Sequence, residues 1–290
     1  MAGSSAQLLE LLDLEQIDVD LFRGRQPDTE RQRVFGGQVA AQAQMAARRS
    51  IPSRYELHSL HSHFLRPGDP AVPIVYFVEH LRAGRAFTTC RVVARQRGRD
   101  IYQQVCTFQV PEGGFDHHDV MPPVPPPEQG LSLADLAAAN GEAAAREWQR
   151  EWAALDIRYV GMTGRGLPDD PERKARARMW VRIDGDMPDD PIVHQVALTY
   201  ASDLTLLGVS LVPHDVLIND PTLQPASLDH TIWFHRPLVA NRWWLYDQTS
   251  PSASGARGLA LARIWTEEGD LAATVAQEGL IRRRADSSAS

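Results

Sequence analysis

The sequence predicts an α+β protein made of two tandem copies of one unit, each a helix wrapped by an antiparallel sheet. Three observations predict it. The first is a repeat: Gln38-Val39-Ala40 opens one apolar helical stretch and Gln195-Val196-Ala197 opens another. Each is followed by a His-rich segment ending in Arg-Pro, namely His61-Ser62-His63-Phe64-Leu65-Arg66-Pro67 and His230-Thr231-Ile232-Trp233-Phe234-His235-Arg236-Pro237, with Phe, Arg and Pro in register. The second is order, since in each copy one helical stretch precedes several consecutive strand-like ones. The third is punctuation: 111–130 contains Gly113-Gly114, Pro122-Pro123 and Pro125-Pro126-Pro127 and sustains neither strand nor helix. The expected organisation is an N-terminal unit over 1–110, a Pro-rich linker and helix over 111–150, and a C-terminal unit over 151–290.

Taken in order, 1–14 reads as an amphipathic first helix, because Glu10 and Asp13 interrupt its apolar content. After Gly36-Gly37, 34–49 is rich in Ala, Gln and Met, a helix able to bury small residues against a flat sheet. The stretches 56–65, 74–80, 86–95 and 101–110 have strand content between Pro and Gly breaks, with a tight turn at Gln96-Arg97-Gly98-Arg99. Beyond the linker, 131–155 suits an amphipathic helix packing by Trp148 and Trp152. A strand is expected within 173–184, at Met179–Ile183, and Pro188-Asp189-Asp190-Pro191 punctuates the start of a second central helix over 193–207. Strands then follow near 227–234, 243–249, 259–265 and 271–282, with the turn Glu267-Glu268-Gly269-Asp270 matching the earlier one.

Composition narrows the function. A formal charge of −7 over 290 residues gives no footprint for a polyanion, so nucleic acid is not an expected partner, although Arg82/Arg85 and Arg282-Arg283-Arg284 are local clusters able to meet phosphates. The N-terminus carries no signal pattern, no apolar run approaches a membrane span, and the final Ser288-Ala289-Ser290 is no peroxisomal address, so the cytoplasm is the expected compartment. Cys90 and Cys106, in two strand-like stretches, read as buried thiols.

Several residue groups invite chemistry. His61 and His63 share a strand face with His58 near, but no Cys or carboxylate at ligand spacing joins them, and no metal or cofactor is expected. Asp184-Gly185-Asp186 and Asp189-Asp190 lack calcium-loop spacing and read as turns. Gly208-Val209-Ser210-Leu211-Val212 begins like a nucleophile elbow without its closing glycine, and Ser210 reads as a loop serine. Arg66-Pro67 and Arg236-Pro237 recur in both copies and read as strand-ending architecture. Asp203 stands on an otherwise apolar helix beside Ala201 and Leu204, a position that is either exposed or functional.

The chain resembles the acyl-CoA thioesterase II family, whose members have two fused hotdog folds. The resemblance covers nearly the whole chain. It rests on Val34-Phe35-Gly36-Gly37-Gln38, on Leu60 through Asp69, and on Phe108-Gln109-Val110-Pro111-Glu112 with Phe115 behind. In the second copy it rests on His194-Gln195, Ala201-Ser202-Asp203-Leu204, Asp229-His230 through Pro237, and Val275 through Arg282. The resemblance implies a double hotdog, its two sheets joined into one continuous pseudo-dimeric sheet, and hydrolysis of fatty acyl-CoA to free fatty acid and coenzyme A. It also implies a polar triad of an Asp on the second central helix, a Ser or Thr just before the Asp-His pair, and a Gln in the last strand. These fall on Asp203, Ser227 and Gln277.

A thioester is already activated, so a hydrolase need only position water, take its proton and stabilise an oxyanion. Asp203 is the expected base, with Ser227 and Gln277 holding the water. Backbone N–H groups at Gly36 and Gly37 are candidates for the oxyanion, and Arg257 with Gly258 for the pyrophosphate of coenzyme A, a solvated turn being the alternative there. A non-catalytic acyl-CoA or acyl-carrier binding protein of the same fold is the second reading, against which all three polar groups argue. A dehydratase is the third, with His194 its loosely placed base. An oligomer, dimer or tetramer, is expected of this fold. In the repeat register Asp203 falls opposite Ala46 and Gln277 opposite Cys106, while the hydroxyl falls opposite either Leu57 or Ser59. One active site per chain is therefore expected, built mainly by the second copy.

Overall fold

The computed structural model describes residues 1–168, 170, 172 and 174–284; Arg173, at the start of one expected strand stretch, and Ser288-Ala289-Ser290 lie outside the described residues. The first half runs α1 (Ser5–Leu12), β1 (Glu15–Asp18), β2 (Leu21–Gly24), α2 (Gly36–Ser50), β3 (Glu56–Phe64), β4 (Ile74–Ala83), β5 (Phe87–Gln96) and β6 (Arg99–Gln109). Between the halves come β7 (Leu131–Ser132), α3 (Leu133–Ala139) and α4 (Glu142–Glu151). The second half runs β8 (Leu155–Thr163), β9 (Gly166–Leu167), β10 (Arg176–Ile183), α5 (Pro191–Ser202), β11 (Leu223–Ser227), β12 (Asp229–Phe234), β13 (Trp244–Ser254), β14 (Arg257–Thr266) and β15 (Leu271–Arg283).

The strands form a single sheet in the order β1-β2-β4-β5-β6-β3-β12-β15-β14-β13-β10-β8-β7. Its centre is the antiparallel pair β3–β12, where the halves meet. Matching Arg66 with Arg236 equates His61 with Thr231, and these two residues face one another across that pair. A pseudo-two-fold axis therefore passes between them. The Arg-Pro segments behave alike in both halves: Leu65 and Arg66 donate their N–H groups to the Ile101 carbonyl, and His235 and Arg236 donate theirs to Ala272. Repetition of such bonds in both copies is what a strand-ending role requires.

Inside the curved sheet α2 and α5 lie antiparallel, with Gly37 beside Tyr200 and Gln44 Nε2 bonded to Gln195 Oε1 at 3.2 Å. Residues 37–47 of α2 are all buried, which explains its Ala, Gly and Gln content: small side chains let the sheet and α5 approach closely, and the amides satisfy buried polar groups. Gln42 shows the second role, accepting from Tyr76 and donating to the carbonyls of Leu11 and Arg25. One continuous core joins the halves, containing Leu60 and Ile232 from the central strands and Val39 and Tyr200 from the two helices.

The structure departs from the sequence expectations in four places. The single helix expected over 131–155 is β7 followed by two short helices, because Gly141 takes φ +104° and breaks the run after Asn140. The strands β1, β2, β8, β9 and β11 are unanticipated. β1 and β2 are only four residues each, too short for alternation to declare itself, and every residue of β1 is exposed. The second central helix ends at Ser202 instead of 207, and a 3-10 helix, Leu206–His214, continues the chain with Ser210 buried inside it. Finally, the 24-residue run Pro191–His214 is long and apolar enough to span a membrane by composition, contrary to the expectation that no run approaches that length. It is the core helix and its continuation, with 72% of its apolar window buried inside the fold.

The segment 111–126 has no regular structure but is not free of the fold. It straps across the outer face of the second half, where Trp180 Nε1 donates to the Pro125 carbonyl at 2.8 Å and Met121 and Val124 pack on Trp180, Leu245 and Trp265. Ion pairs to Asp116 from Arg236 and to Asp119 from Arg263 hold the strap down.

Candidate active site

The site forms where the C-terminus of α5 meets the N-terminus of α2. Asp190 caps the start of α5, its carboxylate accepting the Ile192 N–H, and Pro191 occupies the first turn. Asp203 caps the other end. A carboxylate at a helix C-terminus faces the unfavourable end of the dipole, but the antiparallel arrangement sets the favourable N-terminus of α2 against it. Gly37 donates its backbone N–H to the Asp203 carboxylate. The glycine pair makes this approach possible, since a Cβ on Gly36 would stand 2.6 Å from Asp203 Oδ2 and 2.8 Å from the Phe64 ring.

Two further side chains converge on Oδ1 of the carboxylate. Gln277 lies on the inner face of β15, fully buried, and its Nε2 donates to Asp203 Oδ1 at 2.5 Å and to Ser227 Oγ at 3.0 Å. Ser227, at the end of β11, donates to the same Oδ1 at 3.3 Å. Asp203 is 9% exposed, and burial pushes its pKa up to about 6 against the opposing pull of the bonds from Gln277, Ser227 and Gly37. Both amide hydrogens of Gln277 are spent within the triad, while its Oε1 is buried without a partner in the chain.

The strand interruption at Leu228 supports this geometry. Beyond it, Asp229 Oδ1 accepts the N–H of Glu278 at 2.7 Å, gripping the residue that follows Gln277. The next residue, His230, is fully buried and places Nε2 2.9 Å from Ser202 Oγ, the residue that precedes Asp203. Ser202 Oγ in turn donates to the Thr199 carbonyl, which assigns the imidazole proton to Nε2. Burial lowers the His230 pKa to about 4, so the ring is neutral near pH 7. Ser62 and Tyr246 complete the support, donating to the carbonyls of His230 and Ser202. In the sequence the Asp229-His230 pair has no assigned role, and its adjacency to Ser227 is the available signal.

A cleft of about 320 Å³ reaches the triad at Ser227, bounded by Gly36, Val39 and Phe64 on one side and Pro225 and Ser227 on the other. Arg257 and Gly258 are elsewhere. Arg257 borders a different pocket with His214 and Arg283, and its guanidinium Nε is engaged by Glu278 at 3.0 Å. Gly258 is a packing glycine: a Cβ there would stand 2.3 Å from Ser210 Oγ, so the 3-10 helix fills the space expected to admit a pyrophosphate. His194 accepts the Ala240 N–H through Nδ1 at the opposite end of α5 from Asp203 and takes no part in the triad. Among the described residues no group of three or more His, Cys, Asp or Glu is arranged to hold a metal.

The first copy has no such constellation. In the register equating Gln277 with Cys106, Gly279 equates with Phe108; Ser227 faces Gly279 and Leu57 faces Phe108, so Leu57 rather than Ser59 is the counterpart of Ser227. Ala46, Leu57 and Cys106 are all buried, and Gln195 Nε2 closes on the Leu57 carbonyl at 3.0 Å.

Fold and site together define a two-fold-repeated, helix-in-sheet protein with one buried carboxylate, amide and hydroxyl cluster at the meeting of its central helices. Two family models match in tandem, acyl-CoA thioesterase N-terminal domain over residues 25–109 and acyl-CoA thioesterase over 171–280. Acyl-CoA thioesterase 2 of Haemophilus influenzae is 39% identical, covering 95% of this chain and 96% of its own. Acyl-coenzyme A thioesterase 8 of Homo sapiens is 36% identical, covering 96% and 89%. Among solved structures, an acyl-CoA thioesterase II from Mycobacterium marinum superposes with TM-score 0.82 at 40% identity, covering 96% of this chain and 98% of that one. A hot dog fold protein from Alicyclobacillus acidocaldarius superposes with TM-score 0.75 at 21% identity, covering 95% and 98%, and shares the fold. The chain belongs to the acyl-CoA thioesterase family and is a thioester hydrolase of the double-hotdog fold.

Proposed function

We propose that this hydrolase converts acyl-CoA to free fatty acid and coenzyme A by direct attack of water, with Asp203 as general base and Ser227 and Gln277 positioning the water. The observation that carries the reading is the convergence of Gln277 and Ser227 on Oδ1 of a buried carboxylate whose pKa is about 6. A base with that pKa is ionised at neutral pH yet basic enough to draw a proton from water as attack proceeds. The unpartnered Oε1 of Gln277 supplies a second acceptor, so a water bonded to both Asp203 and Gln277 has its lone pair turned away from them, toward the thioester. Ser227, whose hydroxyl donates to Asp203 and accepts from Gln277, contributes to positioning the water by holding carboxylate and amide in register.

The oxyanion forms against first-turn N–H groups of α2, where Gly36 borders the cleft and the helix dipole favours negative charge. Because Gly37 already serves Asp203, the same helix end steadies both the base and the developing charge. The reaction runs at one site per chain, in the cytoplasm, within a dimer or tetramer. Trp233, 38% exposed on the outer face of the sheet with His61 packed against it, supports association through that face.

Thiol release from acyl-CoA substrates of graded chain length tests the reading. Wild type is expected to release coenzyme A from at least one chain length and Asp203→Asn to lose that activity, with no acylated protein detected by mass spectrometry during turnover. A covalent acyl-enzyme, or full activity in Asp203→Asn, overturns the mechanism.

A further inference from the structure

The duplication supplies an internal control for a substrate contact. Arg66 and Arg236 are equivalent in the repeat and share a structural bond: Arg66 Nη1 donates to the Asp100 carbonyl, and Arg236 Nη1 to the Leu271 carbonyl. They differ at the other terminal nitrogen. Arg236 Nη2 is paired with the carboxylate of Asp116, delivered by the interdomain strap. Arg66 has no ion-pair partner among the described residues, because nearby Asp69 pairs with Arg97 and the Asp100 carboxylate with Arg95. Where one copy holds an anion from the protein, the other presents its guanidinium unpaired.

That guanidinium borders the cleft that reaches Ser227. Arg33 borders it too, exposed and likewise without an ion-pair partner among the described residues. The walls between them and the catalytic end are apolar, from Val34, Leu65, Ile101 and Leu228. Reach is suitable. Arg33 is three residues from Gly36, at most about 10 Å of extended chain, to which its own side chain adds several ångströms. An extended pantetheine arm separates a thioester from its phosphates by a comparable distance.

We propose that Arg33 and Arg66 form the phosphate-binding mouth of the site, pairing with the nucleotide-end phosphates of the thioester substrate while its pantetheine arm lies along the apolar cleft. Arg66 Nη2 receives a phosphate oxygen where Arg236 Nη2 receives Asp116. Planar guanidinium donors suit bidentate recognition of such oxygens. This assignment rests on the acyl-CoA hydrolase reading and replaces Arg257 and Gly258 as the phosphate contacts.

The test compares acyl-CoA with the matching acyl-pantetheine, which carries the same thioester without phosphates. Wild type is expected to prefer acyl-CoA in kcat/KM, and Arg33→Ala and Arg66→Gln each to shrink that preference about tenfold, the scale of one charge-assisted hydrogen bond. Gln at 66 retains a donor for the Asp100 carbonyl, and Arg236→Gln, which changes the equivalent structural bond, is expected to leave the preference intact. An undiminished preference in both Arg33→Ala and Arg66→Gln, or equal losses on both substrates, overturns the proposal. Should wild type cleave neither thioester, the hydrolase reading fails, and equilibrium binding of desulfo-coenzyme A decides the phosphate mouth separately. Tenfold weaker binding in Arg33→Ala then supports it, and unchanged binding or none in wild type rejects it.

Discussion

Gly37 of α2 and Tyr200 of α5 come so close that a Cβ on Gly37 would stand 2.3 Å from the Tyr200 carbonyl oxygen. This contact sets the distance between the two copies at the active site. Because the obstructing atom is backbone, Gly37→Ala must push the helices apart, and it is expected to cost about 2 kcal/mol or more of stability together with most of the activity. Gly36→Ala meets only the side chains of Asp203 and Phe64, which can rotate, so its loss of kcat is expected to exceed its loss of stability. Chemical denaturation and steady-state kinetics on the two variants separate the cases.

The raised pKa of Asp203 predicts that kcat/KM for acyl-CoA rises with pH through about 6 and is flat above it, since only the ionised carboxylate accepts a proton. Asp203→Asn is expected to lower kcat/KM by roughly three orders of magnitude. A wild-type profile with no inflection between pH 5 and 7 argues against Asp203 as the base.

Stability should depend on pH through two buried groups of opposite sign. His230 has its pKa lowered from 6.5 to about 4, so the fold prefers the neutral ring; that contribution is present above pH 6.5 and lost as pH falls through 4. Asp203 has its pKa raised from 3.8 to about 6, so the fold prefers the protonated acid, and stability is lost as pH rises from 3.8 through 6. Each effect is of order 3 kcal/mol and they oppose one another between pH 4 and 6. Asp203→Asn is therefore expected to be more stable than wild type at pH 7, with the difference closing by pH 4, as measured by urea unfolding across that range.

The grip of Asp229 on the Glu278 N–H predicts a positioning effect. Asp229→Ala is expected to lower kcat about tenfold with little change in KM, and Asp229→Asn to restore much of it, because an amide oxygen accepts the same bond. Equal damage from both substitutions indicates that charge, rather than the bond to β15, is what matters.

Gly258 offers a check on the revised phosphate assignment. Gly258→Ala is expected to destabilise the protein by about 1–3 kcal/mol through its clash with Ser210, while KM for acyl-CoA in the folded fraction stays at the wild-type value. A raised KM at wild-type stability points instead to a substrate contact.

The repeat was legible because helical and strand periodicities survive in linear order, and both central helices and eight of the nine strands that follow them in the two copies lie close to where pattern places them. The short hairpin of β1 and β2 was not, since four-residue strands carry too little alternation. The helix expected over 131–155 is interrupted because Leu131 and Ser132 are claimed by pairing with β8 and Gly141 breaks the helical run at positive φ, neither of which local composition declares. At the site, Asp203, Ser227 and Gln277 were found by resemblance to a family pattern. His230 and Asp229 were visible as letters without roles, because their partners, Ser202 and Glu278, are distant in sequence.

By itself, then, the amino-acid sequence determined the duplicated α+β architecture and the loss of acid and amide from the first copy, since both are properties of residue type at a given register. Only the tertiary structure decided which ends of the two helices meet, that Leu57 stands for Ser227, that Arg257 and Gly258 do not line the cleft at Ser227, and that among the described residues Arg66 lacks the anion Arg236 has. Those facts depend on antiparallel packing across a pseudo-two-fold axis, which brings residues from opposite halves together and cannot be read from order along one chain.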